Sequence, residues 1–372
     1  MNTAVACRTD ELVLSAWFTV SPFGVGKEVF ADGIAHARSG ISEVDKAVFP
    51  VPYDRAGMVP DFTAAKYLGR KGTRLMDRLT ALAVTSVGGL VEQASAELSA
   101  APERAGLVLG TGWASVQSIM DTTRDSLSGE KPYHVDPAKF PNTVMNKAAG
   151  QSAIWHTIKG PNTTISGDWL TGLLALSYAA RLYRGGHTDR VLCGAVEEYS
   201  TQRAWLEWHA GAASGERAHA LGEGGAFFLL ESSDEARAAG RPALARVLGT
   251  RFRAFGAPDR ASRALADCVR SVLAETGTGA DQVRLVSLSG VASTVSAAEE
   301  EAVNDALGES ADRRRIRCGP LVGDTSAVAT GFQLAAVLAE LERSPFGTDD
   351  AALITAIGRD GTVGCALLGG AA

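Results

Sequence analysis

The chain has 372 residues, of which 46% are hydrophobic and 6% aromatic, and its formal charge is −6. That length and apolar content suit two domains or one large fold with a duplicated core, and the negative balance argues against a nucleic-acid partner. Five cysteines (Cys7, Cys193, Cys268, Cys318 and Cys365) are odd in number and lack metal-ligand spacing, and no apolar run reaches membrane-spanning length. Arg8, Asp10 and Glu11 leave no apolar leader segment at the N-terminus. The expectation is a cytoplasmic protein with no metal, no cofactor and no membrane contact.

In chain order, short apolar runs predict strands at Leu12–Ser15, Ala105–Leu109, Thr163–Ile165, Val191–Val196 and Ala226–Leu230. A second set follows at Leu244–Gly249, Val283–Leu288, Ile316–Cys318, Ala351–Ala356 and Val363–Leu368. Helical patterns fall between them at Thr73–Leu98, Ala114–Leu127, Asn142–His156, Trp169–Arg184, Ala261–Glu275, Ala297–Leu307 and Ser326–Arg343. The alternation predicts an α/β architecture with sheets covered on both faces. Two successive sets predict two similar halves, 11–234 and 241–372, joined through the polar stretch Glu235–Arg241.

Gly110-Thr111-Gly112 after an apolar strand invites a phosphate-loop reading. It lacks the Gly-Lys-Ser/Thr ending and the third glycine of a dinucleotide fingerprint, so a tight strand-to-helix turn is the better account. Cys193 lies in a buried-strand pattern and reads as a core thiol. His36, His134, His156, His187, His209 and His219 fall on helices, helix ends or loops, in solvated or structural settings. Arg313-Arg314-Arg315 with Arg317, and Arg70-Lys71 with Arg74, are read first as solvated surface and second as sites for an acidic partner or for subunit ion pairs.

Several segments carry a resemblance that runs nearly end to end. They are Ser21-Pro22-Phe23-Gly24, Gly33 to Gly40-Ile41, Arg70-Lys71 with Arg74 and Met76-Asp77, Phe140 to Asn146 with Ala149-Gly150-Gln151, and Gly222-Glu223-Gly224-Gly225-Ala226. In this order and spacing the chain resembles the β-ketoacyl synthase family, whose thiolase-like fold is a five-layered αβαβα arrangement of two pseudo-repeated halves. In that family a strand and sharp turn present an acyl-accepting cysteine at a helix N-terminus, where the dipole favours the thiolate. The matching stretch here is Gly160 to Gly172, and counting from either end puts the cysteine position on Trp169. An indole has no sulfur or oxygen with which to attack a thioester.

The resemblance also places two histidines that stabilise the enolate and oxyanion of decarboxylative condensation. The first position falls on Leu288, or on Gly290 if a short deletion is allowed; the second falls on Asp324, and Gly319 stands where the family has a lysine. Nucleophile, both histidines and lysine are all absent. Of the neighbours, Ser166 and Thr171 have no histidine assigned to them, and Asp168 reads as a cap of the following helix rather than a general base.

A scaffold kept without its chemistry is similar to the chain length factor subunits of type II polyketide synthases. The resemblance implies a heterodimer with an active ketosynthase, an acyl carrier protein as the source of the acyl chain, and a tunnel that limits chain length. Many such subunits carry glutamine at the cysteine position, so tryptophan points to another branch, serving reduced or polyene chains. The tunnel pattern, carried onto the helix after Gly110-Thr111-Gly112-Trp113, assigns Val116, Ile119 and Thr123 as chain-facing residues at three- and four-residue spacing. The same stripe suits ordinary core equally well. Two alternatives remain at this level: an acyltransferase or condensing enzyme of the same fold with a non-cysteine nucleophile, and a homodimeric ligand-binding scaffold.

Overall fold

The computed structural model describes residues 8–214, 220–290 and 293–371. His219 lies outside them. The main strands are β1 (Leu12–Ser21), β2 (Ala105–Gly110), β3 (Asn162–Ile165), β4 (Arg190–Glu197) and β5 (Gly224–Ser232), then β6 (Ala245–Ala254), β7 (Val283–Leu288), β8 (Arg314–Arg317), β9 (Ala351–Ile357) and β10 (Thr362–Gly369). The longer helices are α1 (Lys27–Ala35), α2 (Arg78–Gln93), α3 (Val116–Ser128), α4 (Lys147–His156), α5 (Thr171–Arg184), α6 (Thr201–Ser214), α7 (Ala261–Thr276), α8 (Ser293–Leu307) and α9 (Ala329–Arg343).

The duplication is written in the strand order. From the outer edge inward the first five strands run β3-β2-β4-β5-β1, and the next five run β8-β7-β9-β10-β6. The sense of pairing repeats as well. β2 is parallel to β3 and β4, β7 is parallel to β8 and β9, and the remaining pairs within each half are antiparallel. The halves meet along β1 and β6, where only Val13↔Arg246 and Leu14↔Ala245 pair.

Helices α2 and α4 cover the outer face of the first half, α7 and α8 cover that of the second, and α5 and α9 lie between the halves. This gives the five layers of a thiolase-like fold. The middle layer explains the composition of α9, whose residues Ala329 to Leu341 are all buried, as expected of a helix apolar on every side. Its one amide, Gln333, donates to the carbonyls of Ser287 (2.9 Å) and Thr355 (3.0 Å), tying the helix to two strands of the second half. α5 approaches it so closely that a Cβ on Gly172 would stand 2.7 Å from the Gly331 nitrogen. Only glycine fits there.

All ten predicted strands form. Five predicted helices start late, because their first residues are spent in turns or caps, as Ser115 is at the start of α3. α2 begins only at Arg78, after Asp77 accepts the Thr80 N–H at 2.6 Å. Short 3-10 turns at Phe140–Thr143, Asp168–Leu170 and Ser326–Val328 precede α4, α5 and α9. The sequence reading missed α6, whose pattern is interrupted by Arg203, a buried arginine whose guanidinium donates to the carbonyls of Glu198, Gly222 and Asp324.

Candidate functional site

Two turns face each other where the family resemblance places the lost nucleophile and one of the lost histidines. The first is Asp168–Leu170, between β3 and α5, with Asp168 in the left-handed region at φ 47°. The second runs from Asp324 to Ser326, ahead of α9, and Ser326 also has φ 47°. Such values are uncommon outside glycine and cost energy that the surroundings must offset. Thr171 Oγ1 donates to Asp168 O (2.6 Å) and accepts from the Gly167 N–H (2.9 Å), while the Ser326 N–H donates to Asp324 Oδ1 (2.9 Å). Across the middle layer, Thr330 of α9 donates to the Trp169 carbonyl at 3.0 Å.

Trp169 and Asp324, far apart in sequence, meet here. The Trp169 indole N–H donates to Asp324 Oδ1 at 2.9 Å, with both residues buried. The Asp324 backbone is fixed in turn: its N–H donates to Ala220 O (2.7 Å), and its carbonyl accepts from the Gly222 N–H (2.8 Å) and from Arg203 (3.0 Å). Over the indole lies Arg359, with its guanidinium carbon 4.9 Å from the ring centroid. Arg359 bonds Asp168 through its backbone N–H (2.6 Å) and its guanidinium (3.0 Å), and reaches Glu207 of α6 at 2.8 Å. Burial disfavours the Arg359 charge, yet Asp168, Asp324 and Glu207 outweigh it and raise the pKa. At Asp168 burial dominates and the carboxyl is held above its usual range despite the arginine. The expected helix cap at Asp168 does not form, because its carboxylate is turned to Arg359 and α5 has no side-chain cap.

The remaining positions lie apart from this pair. Leu288 ends β7 in the apolar core under α7 and α8, with Val269, Val286 and Val303. Beside it Ser289 donates through N–H (3.0 Å) and Oγ (2.6 Å) to Glu299, which also accepts from Thr355 (2.7 Å). Burial pushes the Glu299 carboxyl up to about 7. A Cβ on Gly319 would stand 2.7 Å from Ser289 O and 2.8 Å from Gly290 O, so a lysine there would require the backbone to move. Ser166 is exposed, with Oγ 3.4 Å from Gly112 O, and no histidine is a hydrogen-bond partner of Ser166 or Thr171 among the described residues. Burial pushes the Cys193 thiol up to about 12, which suits a core thiol.

Val116 is buried, Ile119 half-buried and Thr123 exposed, with Thr123 Oγ1 donating to Ile119 O at 2.8 Å. The sequence reading did not single out Glu197 and Glu198, at and just beyond the end of β4. Glu197 accepts the Gly112 N–H (2.9 Å) and is pushed up to about 7 by burial; Glu198 accepts from Leu79 N–H (3.2 Å) and Gln117 N–H (3.3 Å) and is pushed up to about 8. Glu198 walls a cavity of about 290 Å³ beside the first turn of α3. Two acids running straight on from an apolar strand were the available signal. Of the basic groups, Arg314 pairs with Glu340, and Arg315 and Arg317 pair with Glu300. Arg313 is buried and donates to backbone carbonyls, so this cluster is internally satisfied.

Residues 12–236 match the model of the β-ketoacyl synthase N-terminal domain. The chain belongs to the β-ketoacyl synthase family. It is 25% identical over 330 residues to 3-oxoacyl-[acyl-carrier-protein] synthase 2 of Vibrio cholerae, covering 82% of this chain and 78% of that protein. The corresponding synthase of Rhizobium meliloti is 24% identical, over 93% of this chain and 90% of its own. Among solved structures, the ishigamide ketosynthase/chain length factor superposes with a TM-score of 0.85 at 36% identity, covering 97% of this chain and 100% of that one. A type II polyketide synthase acyl-carrier protein in complex with its ketosynthase bound to the hexaketide (AntDE:AntF) has a TM-score of 0.82 at 19% identity, a likeness of fold, over 98% of this chain and 100% of that one.

Proposed function

We propose that the chain is a catalytically silent ketosynthase homologue, a chain length factor. It pairs with an active ketosynthase and helps to bind and limit an acyl chain delivered by an acyl carrier protein. The observation that carries this reading is the bond from Trp169 to Asp324, made between the two positions that the family resemblance assigns to the nucleophile and to a histidine. Acyl transfer needs a group that can attack a thioester carbonyl and leave again. The indole nitrogen has its lone pair in the ring, and its N–H donates to Asp324. Stabilising an enolate needs hydrogen-bond donors, and Asp324 Oδ1 serves here as an acceptor, for the Trp169 and Ser326 N–H groups. The similarity to a solved ketosynthase/chain length factor supports the pairing.

The test is covalent. The pure chain, incubated with acyl-carrier thioesters and examined by intact mass, should show no acyl adduct, while an active family member treated in parallel should acylate. A stable adduct at any residue of this chain sinks the silent-subunit reading.

A further inference from the structure

The cation that lies over the Trp169 indole comes from the other half of the molecule. Arg359 sits in the four-residue turn Gly358–Gly361 that joins β9 to β10. The turn is tightly set: Gly361 has φ 85°, Asp360 accepts the Thr362 N–H at 3.0 Å, and a Cβ on Gly358 would come within 3.0 Å of Leu170. Trp169 is only 3% exposed, whereas the Arg359 side chain is 37% exposed, so its outer side meets water while the guanidinium roofs the ring. Its two anchors, Asp168 at 13% and Glu207 at 6%, are themselves withdrawn from solvent.

We propose that Arg359 is a positioning residue that locks Trp169 over Asp324 and closes this subunit to the thioester arm of a carrier protein. Substrate would then enter the paired complex only through the partner. The proposal rests on the silent-subunit reading and adds a physical barrier to the chemical one. Swinging the arginine away would leave two nearly buried carboxylates, Asp168 and Glu207, without their cation, which is costly. It would also uncover an indole. The lock joins the turn after β3, helix α6 and the β9–β10 turn, so one side chain ties both halves together.

Two measurements test the lock. Acrylamide quenching of tryptophan fluorescence, with Trp169→Phe as the subtraction control, should show the Trp169 contribution nearly unquenched in the wild-type chain. Arg359→Ala should raise its quenching constant several-fold, and Arg359→Lys should raise it less. In the second, Trp169→Cys supplies a reporter thiol. Chloroacetyl-pantetheine should alkylate Trp169→Cys no faster than the wild-type background, and Trp169→Cys with Arg359→Ala at least tenfold faster, by intact mass. Should Arg359→Ala not fold, Arg359→Lys and Glu207→Gln take its place in both assays. Quenching of wild-type Trp169 comparable to an exposed tryptophan, or folded Arg359 variants with unchanged quenching and alkylation, overturns the lock. Neither result bears on inactivity, whereas an acyl adduct on the wild-type chain overturns the silent reading and leaves the quenching result standing.

Discussion

Three buried glutamates set how this protein answers to pH. Glu197 and Glu299 are pushed up to about 7 and Glu198 to about 8, in each case chiefly by burial. In an unfolded chain a glutamate titrates near ~4.3. Between the unfolded and folded values the unfolded state binds fewer protons, so stability falls as pH rises through that window. These groups are neutral and harmless below about pH 4.5, become increasingly costly up to about pH 8, and add no further change above it. Thermal melts of the wild-type chain should therefore decline from pH 5 to pH 8. Glu299→Gln keeps a polar group for Ser289 and Thr355 while abolishing the titration. At about 1.4 kcal/mol per pKa unit, it should gain of the order of 1–3 kcal/mol over wild type at pH 8 and little at pH 5. Parallel pH profiles for the two proteins would show that Glu299 is not titrating in this range.

At the scale of elements, helix α3 is the candidate gate. Val116 is buried, but Met120 (38%) and Leu127 (83%) are large apolar side chains left exposed on the same helix. Exposed apolar groups of this kind mark contact surfaces. Reconstituted with its ketosynthase, the complex carrying Val116→Phe or Thr123→Phe should release a product shorter by about one two-carbon unit, because bulk is added to the proposed tunnel wall. Ile119→Ala should lengthen it. Mass analysis of released chains reads the effect, with thermal melts to exclude misfolding. Wild-type chain lengths from folded, paired variants would remove the three residues from the tunnel wall.

The whole molecule presents an unfinished edge. β3 ends the sheet and pairs only with β2 among the described strands. Leu107 N–H donates to Pro161 O (2.8 Å) and Thr111 N–H to Ile165 O (3.0 Å), so this ladder uses the odd positions of β3. Asn162 and Thr164 turn their N–H and C=O groups outward, an open template for another strand. Nearby segments expose Phe140 (55%), Val144 (42%) and Met145 (43%). We propose that the partner ketosynthase covers this face, burying an apolar contact of the size found in permanent complexes. Expressed alone, the chain should self-associate or be poorly soluble on size-exclusion chromatography, and co-expression should yield a stable pair. Thr164→Pro, which removes one outward N–H and no ladder bond, should weaken that pair at least tenfold. A well-behaved monomer at micromolar concentration, or an unaffected Thr164→Pro pair, argues for a different interface.

Sequence by itself determined the strands, the α/β class and the family. Each rests on local signals: apolar runs such as Val191–Val196 that suit burial on both faces, and turn motifs that retain their residue types in order. It also put Trp169 at the position where the family resemblance has its cysteine, and the proposed loss of acylation chemistry starts from that residue type. What surrounds Trp169 was decided only by tertiary structure. Trp169 meets Asp324 across 155 positions and Asp168 meets Arg359 across 191, and neither pairing has a periodicity or motif to announce it. The Asp168 carboxylate was expected to cap a helix because capping is the local use of such a residue. A cation brought over by the β9–β10 turn of the other half outcompeted the helix N–H groups for it. The raised glutamates follow the same rule: a carboxyl's charge state depends on how much water the completed fold leaves around it.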